Sequence, residues 1–345
     1  MAGIKSTLVP PGKPDEAYIV PYLEGHVVDI PSSASVIRVM VTAKETNNTF
    51  ALVTAGGSEG DPIIFHYHNE AHDVFLCTQG QMNVWANDQG RTLDPGDMAS
   101  VPPGVIHRYQ ILGTHTEFWG PIVPADWIEM FYEMGDIAPE DSVLYQSPDI
   151  RDPMKTLFPR LKNLPGKHDF VPVPHHPAAE TTPCQPTDSV IPDRPEPYFL
   201  KADSGSKYAA AGLLFKPLVG LKQTHNRFVV SRIEGTNRIP SKLPKLSYPS
   251  HQAITVVEGA FRVDVGEYAQ EVQTGQTIFI PAGNAATLAA TTRYASLYVT
   301  CNGVGFPEIL EAIGKEYLSP VISVGFDSDP DVSGYGEAFE RLGLQ

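Results

Sequence analysis

Three histidines and two carboxylates lie within the eight residues HYHNEAHD, at 66–73. Imidazole nitrogens and carboxylate oxygens are ligands that first-row transition metals accept from proteins. His66 and His68 are two residues apart, so on a β-strand both side chains would point to the same face. The pattern predicts a metal site, and it raises the question of whether Glu70 or Asp73 completes that site.

A further histidine, His107, ends the stretch GDMASVPPGVIH at 96–107. Together the two stretches read Gly-x5-His-x-His-x4-Asp-x6-Gly and Gly-x5-Pro-x-Gly-x2-His. This spacing resembles the cupin signature position for position, with an aspartate where that family usually has a glutamate. The resemblance implies an antiparallel barrel that holds one divalent metal between His66, His68, His107 and a carboxylate.

The two carboxylates are expected in different places. Glu70 falls in the predicted turn at 69–72, where side chains usually meet water, so Asp73 at the start of the next strand is the predicted ligand. Its side chain is one methylene shorter than glutamate, and both direct binding and action through a water molecule stay open. His72 should point away from Asp73 on that strand, towards the surface or behind the ligands.

The surrounding sequence predicts the elements that would hold these residues. Short β-rich runs separated by Gly, Asn, Asp and Pro fill residues 36–111, which indicates an antiparallel barrel or sandwich. A short helix is predicted at 124–136 and another at 305–318. Residues 146–205 are dense in proline, which favours neither ladder strands nor a helix interior, and they are interpreted as a linker.

The second half of the chain repeats the first. FLCTQGQMNVWA and DPGDMASVPPGVIH in one half correspond to TVVEGAFRVDV and QTGQTIFIPAGNAA in the other. Aligning the Gly and Pro residues places Lys245 and Ser247 at the histidine pair, Gln252 at the carboxylate and Ala286 at the last histidine. We therefore expect a second barrel without metal ligands.

The predicted fold class is all-β: a bicupin of two antiparallel jelly-roll barrels with a few short helices. Its expected parts are a metal-binding, catalytic cupin domain at 1–145, a Pro-rich linker at 146–205 and a degenerate, structural cupin domain at 206–345.

The amino-acid composition argues against several classes of binding partner. A formal charge of -15 argues against nucleic acid and anionic membranes, neither of which attracts an acidic surface. Cys77, Cys184 and Cys301 are far apart and cannot all pair, so neither a disulfide framework nor a cysteine-based zinc site is expected. The first residues lack a basic segment followed by an apolar one, and no run of about 18 apolar residues occurs. A cytoplasmic protein with a small-molecule partner is expected.

A bicupin with one metal-competent and one degenerate barrel resembles the fungal flavonol (quercetin) 2,3-dioxygenases. The likeness lies in HYHNEAHDVFLCTQGQMNVWA, GDMASVPPGVIHRYQI, TEFWGPIVPADWIEMFYEMG and EPYFLKADSGSKY. It implies one mononuclear divalent first-row metal, with copper favoured and Fe, Ni, Mn and Co as alternatives, and ring opening of a small aromatic substrate by O2. Asp73 would take the substrate's hydroxyl proton as general base, with a pKa raised by an apolar setting near the metal.

Four residues that share faces with the ligands would wall a slot for a flat aromatic substrate, although barrel cores are built from the same residue types: Ile64, Phe75, Met82 and Tyr109. Two other functions stay open, a cupin enzyme of aromatic polyketide metabolism with ring-cleaving or isomerising chemistry and a pirin-like metal-binding regulator. Oxalate decarboxylation is disfavoured, because bicupins of that activity usually keep the ligands in both barrels. A homodimer is the commonest assembly and is the default expectation.

Overall fold

The computed structural model describes residues 3–33, 35–139, 149–323, 326 and 332–344. The strands, numbered in chain order, are β1 (Lys5–Ser6), β2 (Tyr18–Val20), β3 (His26–Asp29), β4 (Ser35–Val41), β5 (Ala51–Gly57), β6 (His66–Tyr67), β7 (His72–Ala86), β8 (Gln89–Leu93), β9 (Met98–Val101), β10 (His107–Val123), β11 (Asp136–Ile137), β12 (Val171–Pro172), β13 (Thr181–Pro183), β14 (Tyr198–Leu200), β15 (Tyr208–Ala210), β16 (Leu213–Val219), β17 (Val229–Gly235), β18 (Leu246–Ser247), β19 (Gln252–Glu258), β20 (Ala260–Val265), β21 (Tyr268–Gln273), β22 (Thr277–Ile280), β23 (Ala285–Ala290), β24 (Ala295–Cys301) and β25 (Lys315–Glu316).

The helices are few and short: α1 (Ala43–Thr46), α2 (Glu129–Met134), α3 (Leu157–Leu161), α4 (Phe306–Ile313) and α5 (Tyr335–Arg341), with 3₁₀ helices at Ala125–Ile128 and Leu221–Thr224. Both predicted helices are confirmed: the 3₁₀ helix with α2 lies within 124–136, and α4 lies within 305–318. The all-β prediction is also confirmed. Among the described residues, no helix combines the length and the apolar character that crossing a membrane requires.

The chain divides into two compact units, an N-terminal unit of Leu23–Ser204 and a C-terminal unit of Met1–Tyr22 with Gly205–Gln345. This division differs from the expected boundaries of 1–145, 146–205 and 206–345. The first residues belong with the C-terminal unit because β2 pairs with β22.

The described part of the Pro-rich segment packs into the N-terminal unit as edge strands. In it β12 pairs with β6, β13 with β8 and β14 with β9. The prediction that this segment forms no ladder strands is therefore wrong. Proline is tolerated in strands as short as these because each lies at the edge of a sheet, where a missing N–H breaks no internal ladder.

The sheet of the N-terminal unit is built around two long strands, β7 with 15 residues and β10 with 17, which pair antiparallel. Gly80 has a φ of 69° in the middle of β7, and a Cβ there would overlap His115 O and Thr116 Oγ1. Only glycine permits this close approach. The sheet runs in the order β11-β3-β4-β5-β10-β7-β8-β13, with β6 beside β10 and β9 beside β7.

The C-terminal unit has a sheet in the order β1-β2-β22-β19-β24-β17-β16-β15-β25 and a four-stranded sheet in the order β18-β23-β20-β21. Its core buries the apolar side of α4, with Phe306, Ile309 and Leu310 fully enclosed. Because α4 follows directly after β24, it places Phe306 close to the residues that begin β19.

Candidate metal centre

Three buried imidazoles meet in the N-terminal unit. His66 on β6 pairs directly with His107 at the start of β10, and His68 follows β6. Their exposed fractions are 5%, 1% and 2% respectively. One ligand atom from each lies within 4.8 Å of the others, which makes them a group able to hold a metal ion. The convergence expected from the sequence is therefore present.

Backbone carbonyls orient all three rings. Each imidazole donates its Nδ1–H to a carbonyl oxygen, which leaves the Nε2 lone pair of the neutral ring for a metal. The acceptors for His66, His68 and His107 are the carbonyls of Ile64, Asp169 and Val105, at 2.9, 2.6 and 2.9 Å. Burial and the neighbouring imidazoles lower the pKa of His66 well below its usual value, and the neutral form is the one that binds metals.

Asp73 lies beside two of these rings and is 7% exposed. Its Oδ2 is 3.2 Å from Nε2 of both His68 and His107. When the rings are neutral, both partners in these contacts are acceptors, so they repel unless a proton or a cation lies between them. Asp73 Oδ1 and His68 Nε2 also have no hydrogen-bond partner among the described residues, and a buried polar atom without a partner costs about 1–3 kcal/mol. A divalent cation would satisfy both, so the residues present fit a metal.

The electrostatics of Asp73 differ from the expectation. Burial alone would raise the pKa of this carboxyl, but the imidazoles of His68 and His107 lower it well below its usual range. The predicted rise is therefore wrong, because it considered the apolar setting and not the protons that the imidazoles of His68 and His107 can place between themselves and this carboxylate at 3.2 Å.

The remaining carboxylate and the remaining histidine of residues 66–73 have different surroundings. Glu70 is exposed in the turn, and its backbone N–H donates to Asp169 Oδ2 at 2.8 Å. His72 is 1% exposed, with its Nε2 2.8 Å from Ser100 Oγ. His72 thus lies behind the ligands rather than at the surface.

Aromatic side chains adjoin the histidines. The centroid of the Phe75 ring is 6.1 Å from that of the His107 ring and 5.7 Å from that of the Tyr109 ring. Burial and the charge of Asp73 raise the pKa of Tyr109 to about 12, so its hydroxyl stays protonated. Met82 is fully buried in the same core cluster, and Ile64 packs against that cluster.

The sequence missed Phe118, whose ring is 5.8 Å from Phe75 and 5.0 Å from Tyr109. Simple alternation puts Tyr109 and Phe118 on opposite faces of β10, because they are nine positions apart. The register of β10 against β7 shifts between Leu112 and Phe118. This irregularity brings both rings to one side.

Trp127, Asp169 and Phe170 were also missed. The centroid of the Trp127 ring is 4.7 Å from that of the His68 ring, and the centroid of the Phe170 ring is 4.8 Å from that of the His66 ring. Trp127 lies in the helix predicted at 124–136, whose pattern indicates only packing, and the other two lie in the segment interpreted as a linker. No spacing signal in the sequence connects them with the histidines.

The C-terminal unit has a different register from the one expected. Leu246 pairs with Ala286 as His66 pairs with His107. Likewise Gly283 N–H donates to Tyr248 O at 2.7 Å, as Gly104 N–H donates to His68 O at 2.7 Å.

Leu246 and Tyr248 therefore take the two histidine positions, and the assignment of Lys245 and Ser247 to them is wrong. Gln252 does match Asp73, because they pair with Ile280 and Val101 at equivalent points.

The turn before Gln252 is one residue shorter than the turn before Asp73. The spacing of the first half, applied to the second half, therefore places the histidine positions one residue too early, at Lys245 and Ser247. Lys245 and Ser247 are both exposed. Within the described residues, the one group of histidine, cysteine or acidic side chains able to hold a metal is His66, His68 and His107.

Comparison with known proteins agrees with this architecture. Residues 51–117 match the family model of the cupin domain. The chain is 26% identical to a quercetin 2,3-dioxygenase of Aspergillus japonicus over 358 residues, which cover 94% of this chain and 99% of that protein. A quercetin 2,3-dioxygenase of Bacillus subtilis (strain 168) is 34% identical over 99 residues, or 29% of each protein.

Solved structures support the fold alone. The oxalate decarboxylase of Lactobacillus farciminis, as a formate complex, superposes with a TM-score of 0.52 at 17% identity, covering 83% of this chain and 86% of that one. Procruciferin, an 11S globulin of Brassica napus, superposes with a TM-score of 0.54 at 12% identity, covering 84% of each chain. The chain therefore has the bicupin fold and is similar to a fungal quercetin 2,3-dioxygenase along almost its whole length, as its motifs indicated.

Proposed function

We propose that the protein is a metal-dependent dioxygenase that opens the ring of a flavonol such as quercetin, or of a related enolisable aromatic. The observation that carries the proposal is the set of three buried imidazoles with a buried carboxylate next to aromatic side chains. The likeness to the Aspergillus enzyme over 94% of this chain supports it.

His66, His68 and His107 would hold the metal, with Asp73 as a fourth ligand or as a partner through water. Copper is the favoured ion, and Fe, Ni, Mn and Co suit the same donors. When bound, such an ion supplies Lewis acidity that lowers the pKa of a hydroxyl group beside it.

Asp73 would accept the proton of the substrate's enolic hydroxyl. Its Oδ1 has no hydrogen-bond partner among the described residues, and where Asp73 does not bind the metal directly this oxygen is the one that can accept the substrate's proton. A carboxylate with a lowered pKa is a weak base. The transfer therefore depends on a hydroxyl that is already acidic, and enols and phenols meet this condition better than alcohols.

Ile64, Phe75, Met82 and Tyr109, together with Phe118, would form the wall against which the substrate rings lie. Aromatic rings stack or meet edge to face at centroid separations of about 4.5–7 Å, and the Phe75–Tyr109–Phe118 cluster has this spacing internally. An apolar wall also keeps water away from the reacting carbon atoms.

Oxygen consumption tests this proposal. Protein loaded separately with Cu, Fe, Ni, Mn and Co is mixed with quercetin in an oxygen electrode, and the headspace is assayed for carbon monoxide. We expect O2 uptake and carbon monoxide release in step with loss of the flavonol. Protein that holds one metal ion per chain but neither consumes O2 nor releases carbon monoxide would contradict the assignment of a flavonol as substrate.

A second candidate, a cupin enzyme that cleaves or isomerises another enolisable aromatic such as a polyketide, is favoured by Asp73. Its carboxylate stands one methylene further back than the glutamate of the resembling enzymes, which leaves room for a substrate of different shape. The same assay with a panel of enolic aromatics distinguishes the two. Metal binding without turnover of any of them would favour a regulatory bicupin.

A further inference from the structure

Asp169 contacts the metal centre through its backbone. Its carbonyl oxygen accepts two hydrogen bonds, from His68 Nδ1 at 2.6 Å and from Trp127 Nε1 at 2.9 Å. A carbonyl oxygen has two lone pairs, so both acceptor positions are in use. His68 is thereby held as the tautomer that carries its proton on Nδ1 and leaves Nε2 for a metal.

The carboxylate of Asp169 holds the turn that follows His68. Oδ1 accepts the Asn69 backbone N–H at 2.6 Å and Asn69 Nδ2 at 3.0 Å. Oδ2 accepts the backbone N–H groups of Glu70 at 2.8 Å and Ala71 at 3.0 Å. Three consecutive N–H groups between His68 and Asp73 therefore converge on one side chain.

Asp169 is itself held in place from both sides. Residues 167–172, here called the strap, begin where His168 Nε2 lies 2.6 Å from Glu133 Oε2 on α2. They end in β12, which pairs with β6, and the ring of Phe170 lies 4.8 Å from that of His66. The strap is thus fixed at both ends, and it contacts the segment that carries two of the three histidines.

We propose that Asp169 is a positioning residue of the metal centre, through which the strap sets both the orientation of His68 and the spacing from His68 to Asp73. This inference rests on the proposed metal site and extends it to a residue that does not itself bind the ion. Without the carboxylate, water can replace the acceptors at an exposed turn, so the fold survives. The turn then loses its preset shape, and metal binding must supply the ordering. Loss of the outer partners of metal ligands typically lowers metal affinity about 10- to 100-fold, and the carboxylate acts on His68 through the turn and the strap while the carbonyl of residue 169 makes the direct contact.

The test compares Asp169→Ala and Asp169→Asn with Asp188→Ala. Asp188 is a matched control because it lies in the same Pro-rich segment, and its carboxylate also accepts hydrogen bonds, from the backbone N–H of Gln185 and from Arg91 on β8. Metal-free protein is titrated with Co²⁺, whose visible spectrum reports the coordination geometry, and the thermal midpoint is measured without metal.

For Asp169→Ala we expect Co²⁺ affinity to fall about 10- to 100-fold and the visible spectrum to change. Asp169→Asn should lie between Asp169→Ala and wild type, because its one amide oxygen replaces only part of the acceptors. Asp188→Ala should keep the wild-type affinity and spectrum, whatever its thermal midpoint.

Wild-type affinity and spectrum in both Asp169 variants would overturn the proposal, and so would an equal loss in Asp188→Ala. If Asp169→Ala does not fold, Asp169→Asn alone decides by the same comparison. A folded wild-type protein that binds no Co²⁺, Cu²⁺ or Mn²⁺ removes the metal site and this inference with it. Metal binding without flavonol turnover contradicts only the proposed function.

Discussion

Asp73 Oδ2 lies 3.2 Å from His107 Nε2 although the two residues stand at opposite ends of one strand pair. In the ladder between β7 and β10, Asp73 is opposite Ile122 and His107 is opposite Ala86. A straight strand would separate these ends by roughly 40 Å at about 3.3 Å per residue. The contact requires the strand pair to curve round on itself, and the register of the pair shifts beside Gly80, between Leu112 and Phe118.

Gly80→Ala should destabilise the N-terminal unit strongly. Alanine at positive φ costs about 1–2 kcal/mol, and here its Cβ would also overlap the backbone at His115 and Thr116. Gly113 is the matched control, since its φ of 77° is similar and a Cβ there meets nothing within 4 Å. Urea unfolding of both variants should show the larger loss of stability for Gly80→Ala; equal losses would contradict this account of the close approach at Gly80.

One metal ion per chain is expected, bound in the N-terminal unit. Elemental analysis of wild-type protein should give a single first-row metal, and the double variant His66→Ala/His68→Ala should hold none. The positions that correspond to the ligands in the C-terminal unit are Leu246, Tyr248, Gln252 and Ala286, which offer no imidazole or carboxylate. Retention of one ion by the double variant would place the site elsewhere.

Phe75→Leu should weaken substrate binding more than it weakens the fold. Phe75 adjoins both the imidazole of His107 and the ring of Tyr109, so a smaller side chain removes a stacking surface. We expect a rise in KM for quercetin of about tenfold, which corresponds to roughly 1.4 kcal/mol. Phe50→Leu, at a fully buried phenylalanine outside this core cluster, is the control. A similar KM change in both variants would argue against Phe75 as part of the substrate wall.

In the C-terminal unit, the carboxyl of Glu308 at the start of α4 makes the stability of the fold depend on pH. Burial raises its pKa to about 7, against the hydrogen bond that its Oε2 accepts from Gly305 N–H at 2.8 Å. An unfolded glutamate has a pKa of about 4.3, so between pH 4.3 and 7 the folded state holds more protons. Stability therefore falls as pH rises through this window and is constant above it.

Glu308→Gln removes this ionisation and keeps an acceptor for Gly305. Its thermal midpoint relative to wild type should be more favourable at pH 8 than at pH 5. Glu337→Gln, at an exposed position on α5, should show no such pH-dependent difference. A constant offset between Glu308→Gln and wild type from pH 5 to pH 8 would refute the assignment.

The convergence of the three histidines was predictable because strand alternation and turn residues determine their positions. Alternation on a strand puts His66 and His68 on one face, and the Gly and Pro turns fix the distance to His107. The same rules separate Glu70 in the turn from Asp73 on the strand, and the structure has both where alternation and turn chemistry put them.

The remaining parts of the site depend on contacts that sequence spacing does not encode. Asp169 is distant in sequence and lies in a segment whose proline content suggested a linker. Phe118 reaches the site only through an irregularity in β10, and Tyr248 takes a histidine position only because one turn is shorter. Each of these errors comes from a change of register or from a tertiary contact, and the periodicity of the sequence predicts neither.

The central claim, that Asp73 is the carboxylate that serves the metal centre, is tested most directly by O2 consumption with quercetin, normalised to bound metal. Asp73→Asn keeps the shape of the side chain and three imidazoles, so we expect the metal to be largely retained while the rate falls about 10²- to 10⁴-fold, the usual contribution of a positioned general base. Glu70→Gln, at an exposed turn position, should consume O2 at the wild-type rate. Full activity in Asp73→Asn together with loss of activity in Glu70→Gln would show that the reaction requires the carboxylate of Glu70 and not that of Asp73.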